Sequence, residues 1–138
     1  MIILDTNVLS ALMRSAPELA VLAWLDRQPA ESIWITTITL FESRLGLALL
    51  PSGKRKRLLE ASFESLLKED LENRVLSFDD AAASQAAVVA ARRQKAGRPV
   101  DMRDTQIAGI VLSRRAALAT RNVRHFEDLP MQVVNPWD

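Results

Sequence analysis

An α/β fold, a parallel sheet of about five strands with helices on both faces, is predicted for this chain of 138 residues. Two patterns predict it. Short aliphatic or β-branched runs alternate with longer segments of helical periodicity, which is the signature of βαβ units. Acidic side chains also stand where the first run ends and near the starts of later helices. That is the edge at which open parallel sheets bind their ligands.

Each element has a local reason. Met1 to Asp5 reads as a short buried strand, followed by a helix from Asn7 to Met13 that Thr6 or Asn7 can cap. Pro17 suits the first turn of a second helix, which runs to Gln28 and stops before Pro29. Ile33 to Thr36 is β-branched and aromatic, hence a second strand. A third helix, capped by Thr37 or Thr39, continues through Leu50 and is stopped by Pro51-Ser52-Gly53. The fourth helix runs to Leu71 with Leu59, Phe63, Leu66 and Leu67 as its apolar face. Its first turn holds Lys54-Arg55-Lys56-Arg57, and cations there oppose the helix dipole, so the cluster does not serve that helix. Val75 to Phe78 is a third strand. Asp79 caps an alanine-rich fifth helix that Gly97-Arg98-Pro99 ends. Met102 to Arg115 is a sixth helix, Leu118 to Thr120 a fourth strand, and Val133-Val134 a short fifth. No repeat or linker interrupts residues 1–138, so one domain is expected.

Composition narrows the chemistry. The chain has no cysteine, which excludes disulfides, thiolate metal sites and a thiol nucleophile; a metal would be held by oxygen or by His125, the one histidine. Net charge is +1, too small for bulk attraction to nucleic acid, but the basic residues are clustered and a local patch acts on phosphates regardless. The chain opens on its strand without a basic leader, and no apolar run approaches the roughly 18 residues of a membrane span. A cytoplasmic protein with no membrane partner is the expectation.

Three carboxylates stand out. Asp5 ends the run Met1-Ile2-Ile3-Leu4; Glu42 falls on a helical stripe with Ile38, Phe41, Leu45 and Leu49; Asp104 falls on one with Ile107, Ala108 and Val111. Those stripes point both helical acids toward a core. A carboxylate there protonates or costs several kcal/mol unless something compensates it. A shared divalent ion is the simplest compensation, because magnesium takes oxygen ligands and needs only a few carboxylates beside its waters. Each residue also has an ordinary role open to it. Asp5 can cap the first helix, Asp101 the sixth, and Asn122 can close the turn after the fourth strand. Asp101 and Asn122 otherwise offer extra oxygen ligands. A lone histidine beside Phe126 is by default a packing or surface residue, and the basic clusters are by default solvated faces, Arg121 lying nearest the acids. Arg44, on another face of its helix, does not neutralise Glu42.

Four segments carry a resemblance: Met-Ile-Ile-Leu-Asp-Thr-Asn-Val-Leu-Ser, Ile-Thr-Thr-Ile-Thr-Leu-Phe-Glu-Ser-Arg-Leu-Gly, Asp-Thr-Gln-Ile-Ala-Gly-Ile, and Ala-Thr-Arg-Asn-Val-Arg-His-Phe. In this order and spacing they resemble the PIN domain, specifically the VapC and FitB-like toxins of bacterial type II toxin–antitoxin pairs. The resemblance implies a Rossmann-like three-layer sandwich in which Asp5, Glu42 and Asp104 bind Mg²⁺ or Mn²⁺ and Thr6 and Asn7 support the first aspartate. Many members carry a fourth acid at the position of Asn122, and some an aspartate at that of His125; neither acid is present here. It further implies a homodimeric endoribonuclease acting on RNA, silenced by a VapB- or FitA-like antitoxin that covers the acidic groove. Operator DNA would be met only through the antitoxin complex.

Two other readings compete. A haloacid-dehalogenase-like phosphatase also begins from an aspartate after an apolar strand, but needs a second aspartate where this chain has Asn7. A catalytically weak PIN-fold module that binds only a partner or DNA would suit the missing fourth acid.

Overall fold

The computed structural model describes all 138 residues. The sheet is built from β1 (Ile2–Leu4), β2 (Ile33–Thr36), β3 (Val75–Leu76), β4 (Ala117–Ala119) and β5 (Val133–Val134), in the order β3-β2-β1-β4-β5. Every pair is parallel. β1 pairs Ile2 with Ile33 on one side and Leu4 with Ala119 on the other. The helices are α1 (Thr6–Leu12), α2 (Leu19–Asp26), α3 (Thr37–Ala48), α4 (Lys54–Ser65), α5 (Asp80–Lys95) and α6 (Met102–Arg114).

Because side chains alternate along a strand, one short segment feeds two cores. Leu4 packs with Val8, Leu9, Val21, Trp24, Phe63 and Leu67, under α1, α2 and α4. Its neighbour Ile3 packs on the opposite face with Ala82, Ile107, Ile110, Val111 and Leu118, under α5 and α6. The result is the expected three-layer α/β arrangement. The chain leaves β1 toward β2 and β3 but returns to its other side for β4 and β5, so the connections diverge at β1. The crevice outside the carboxyl end of that strand is where such sheets bind ligands.

The expected elements are all present, with shifted ends. Asp5, not Thr6 or Asn7, caps α1, and Thr36, not Thr37 or Thr39, caps α3 by accepting the Thr39 N–H. In both cases the last residue of a strand turns its oxygen back to the following helix. α2 starts after Pro17, and β3 is shorter than its apolar run because Phe78 has left the ladder and donates its N–H to the Thr37 hydroxyl. α4 closes in one wide turn over Leu66–Asp70. The stripe around Glu42 is corrected most. Phe41 and Leu49 are 55% and 76% exposed, so α3 does not bury that face. Its amphipathic spacing marks a surface, not a core. No helix is long and apolar enough to cross a membrane.

α5 and α6 approach closely because their facing residues are small. A Cβ on Gly109 would meet the Ala82 carbonyl oxygen and lie 2.7 Å from the Ala86 Cβ. In an open helix Gly→Ala gains about 1 kcal/mol. Here the sign reverses: Gly109→Ala should cost about 1–3 kcal/mol through overpacking, read as a lower urea midpoint at unchanged m-value.

Candidate metal centre

The acids meet at the switch point. Asp5 follows β1 directly, so its carboxylate projects from the carboxyl edge of the central strand, and it is 5% exposed. Donors hold it in place. Its Oδ1 accepts the Thr6 N–H at 2.8 Å, and its Oδ2 accepts the Thr120 hydroxyl at 2.7 Å and the Asn7 side-chain amide at 3.4 Å. Asn7 ties this group to the end of β4 by donating to Thr120 Oγ1 and accepting the Arg121 N–H. Thr6 and Asn7 thus stand where the resemblance placed them. Thr6 does more: its hydroxyl donates to Glu42 Oε1 at 2.8 Å and joins the first acid to the second.

Glu42 lies one turn inside α3 with its side chain 20% exposed. It has a basic partner that its own helix does not reveal, Arg103 of α6, whose Nη1 is 3.3 Å from Oε2. The same guanidinium lies over the Phe41 ring, 5.7 Å from its centroid. Arg44 is spent elsewhere, 2.9 Å from Glu64. Asp104, in the first turn of α6, accepts from or donates to His125 Nδ1 at 2.8 Å. His125 is therefore not the idle surface residue expected of it.

The remaining candidates separate. Asp101 caps α6 through the Asp104 N–H and reaches the site only as a nearby negative charge. Asn122 donates its N–H to Thr120 Oγ1 while its side chain is exposed and unbonded. Arg121 carries its guanidinium 4.9 Å above the Trp137 ring. Thr120 and Arg103 escaped the sequence reading. Thr120 sits within a recognised segment, but its contact lies 115 positions away, and Arg103 meets a residue 61 positions distant. No local pattern carries such pairings.

Burial raises the pKa of Asp5 above the ordinary 3.8, against the lowering effect of the Thr120 and Thr6 hydrogen bonds; the charges of Asp104 and Glu42 add to the rise. Burial likewise raises Asp104, its bond from His125 opposes this, and repulsion from Asp101 and Glu42 reinforces it. The acids feel one another. As the side chains stand, however, no three His, Asp or Glu groups are close enough to share an ion. Glu42 is instead engaged with Arg103, and Asp104 with His125. The donor set still suits a hard dication, being carboxylate oxygen with one imidazole, and such a charge would relieve the repulsion that raises both aspartates.

Two recesses flank the acids. A groove of about 1000 Å³ reaches Thr6 and Glu42, with Leu47, Leu50, Leu58 and Leu59 along it and Lys54 and Arg55 at its rim. Part of the basic cluster thus faces a groove, while Lys56 donates to the Ala48 carbonyl at the end of α3. A smaller recess, about 240 Å³, opens beside Asp104 and His125.

The comparisons with known proteins agree with this fold. A model of the PIN domain family matches residues 2–130. The chain is 41% identical over all 138 residues to the plasmid stability protein StbB of Pseudomonas syringae pv. tomato, covering 99% of it. It is 37% identical over its full length to the VapC ribonuclease Y4jK of Sinorhizobium fredii, covering 99% of that protein. To the toxin FitB of Neisseria gonorrhoeae it is 35% identical over 137 residues, 99% of each chain. Among solved structures, FitAB bound to a DNA fragment superposes with a TM-score of 0.91 at 35% identity, over 100% of this chain and 96% of that one. The chain belongs to the PIN domain family.

A raised acid pKa makes the folded state hold its proton longer than the unfolded chain does. Its charge therefore costs stability as pH rises from about 3.8 through the raised value. In EDTA, Asp5→Asn should unfold several degrees above the parent at pH 8 and close to it at pH 4, by calorimetry. A variant less stable than the parent at both values would mean that Asp5 is a net structural asset.

Proposed function

We propose that this protein is a metal-dependent endoribonuclease, the toxin half of a type II toxin–antitoxin pair. The observation that carries the reading is the placement of Asp5, Glu42 and Asp104 at one edge of the parallel sheet, where the charges of Asp104 and Glu42 bear on Asp5 and that of Glu42 bears on Asp104. A bound Mg²⁺ or Mn²⁺ would supply an activated water and stabilise the charge developing at a phosphodiester. The chain's own residues prepare for this. Thr6, Asn7 and Thr120 fix the Asp5 carboxylate so that it cannot rotate away, and Thr6 holds Glu42 in register with it. Arg103 and His125 offset negative charge at the other two acids and remain available to a phosphate oxygen once those acids are otherwise engaged.

RNA is the substrate class, as the name of the Sinorhizobium fredii relative supports. The partner is a VapB- or FitA-like antitoxin lying in the large groove. The apolar side chains and basic rim of that groove suit an amphipathic acidic segment, and the FitAB complex with DNA supports operator binding through such a partner. A homodimer is part of the reading, supported by exposed apolar side chains at Phe41 and Met102, the chain neighbours of Glu42 and Arg103.

Asp5→Ala or Asp104→Ala should lower metal-dependent RNA cleavage by more than about 100-fold while circular dichroism shows the fold retained. Cleavage kept by purified Asp5→Ala protein would refute the site. Produced without a partner, the parent should arrest a bacterial host and Glu42→Gln should be tolerated; equal arrest by both would divorce toxicity from the acids.

A further inference from the structure

The smaller recess has a character that the acid site does not explain. Arg93, Arg98, Arg124 and His125 line it together with Asp101 and Asp104, and Pro99 is the one uncharged residue among them. Its floor is rigid. Arg93 is 4% exposed and grips Asp128 through Nε and Nη2, each 3.0 Å from a carboxylate oxygen, while Nη2 also donates to the His125 carbonyl. Arg98 donates to the Arg124 carbonyl at 3.2 Å and lies 3.7 Å from Asp128. The Arg93 hydrogen bond holds the Asp128 carboxyl below its ordinary range, as a committed ion pair does. Two consecutive carbonyls, those of Arg124 and His125, and the Asp128 side chain are thus clamped by two arginines from outside their loop.

Within this clamped loop one cation is left over. The Arg124 guanidinium makes no hydrogen bond or ion pair and is exposed, although its own backbone is held. Asp128 answers both Arg93 and Arg98, so no further carboxylate answers Arg124. An exposed arginine on a mobile loop is ordinarily a solvated charge. Here the loop is fixed, the recess is lined by charged residues, and it adjoins the Asp104 end of the acid site, sharing no residue with the groove that reaches Glu42. An unpaired guanidinium on a held backbone, beside a second arginine, matches phosphate oxygens.

We propose that this recess is a phosphate subsite of the RNA strand. Arg124 and the outward N–H groups of Arg98 bind a phosphate next to the one cleaved, and Arg93 is the positioning residue that holds their loop. The inference rests on the ribonuclease reading and names where the strand leaves the acids.

The test uses the full chain in EDTA, so that binding is read without turnover. The probe is a 3′-fluorescein, mixed-sequence 12-nucleotide single-stranded RNA, prepared with a 5′-hydroxyl or a 5′-phosphate, followed by anisotropy from 50 to 300 mM KCl. Arg124→Gln should weaken binding about fivefold at 100 mM and lower the slope of log K against log [salt] by about 0.7, one phosphate contact on a single strand. Arg124→Lys should restore the slope. Arg27→Gln, at the far end of α2, should change neither, and all three should unfold at the parent's temperature. Equal loss on both probes assigns an internal phosphodiester; loss confined to the 5′-phosphate probe assigns a terminal phosphate. A parental slope and affinity in Arg124→Gln would overturn the subsite while leaving metal-dependent cleavage untouched. Absence of cleavage by the parent with Mg²⁺ would instead sink the ribonuclease reading and leave the anisotropy result standing.

Discussion

The constraint on which the rest depends is the carboxylate of Asp5, buried at the end of the central strand without a cation of its own. Its hydrogen bonds come from neutral groups: one backbone N–H, one hydroxyl and one amide. A buried charge is normally paired, and its unpaired state in a packed core would be purged as a defect. The fold instead builds toward it. The β1 register against β4 brings Thr120 within reach, and the strand-end turn into α1 supplies the Thr6 N–H and the Asn7 amide. Donors are provided and counter-charge is withheld; burial raises the proton affinity of the group, and those donors only partly oppose it.

Around that fixed acid the other two are held more loosely, and by charge. Glu42 and Asp104 each have one cationic or potentially cationic neighbour from another element, Arg103 and His125. Both contacts are part-exposed, so they are worth little as stabilising ion pairs. Their consequence is local: each places positive or potentially positive charge beside an acid and lowers the cost of three acids at one edge.

The second rigid feature is the Arg93–Asp128 pair. Unlike the surface pairs Arg14–Glu18 and Arg44–Glu64, it is bidentate, buried on the arginine side and extended by a bond to a backbone carbonyl. Losing Asp128 would leave the buried Arg93 without its carboxylate, and the same arginine holds the His125 carbonyl within the loop over Val123–Phe126. That rigidity keeps His125 against Asp104. The two halves of the site are therefore supported differently, Asp5 by neutral hydrogen bonds within the sheet edge and Asp104 by a salt-bridged loop.

Much of this was legible in the residues alone. Alternating periodicities gave the α/β class and the five strands, and the strand-end or first-turn placement of Asp5, Glu42 and Asp104 put them on one edge, because a parallel sheet aligns its carboxyl ends. Capping chemistry at Asp79 and Asp101 was readable because it is local, spanning three residues. What the tertiary structure alone decided was who faces whom across long separations. The Phe41, Leu45 and Leu49 stripe was indistinguishable from a core stripe until packing left it exposed, since periodicity reports a face and not what covers it. Thr120 on Asp5, Arg103 on Glu42, His125 on Asp104 and Arg93 on Asp128 depend on strand order and helix docking. Short-range pattern carries no information about either.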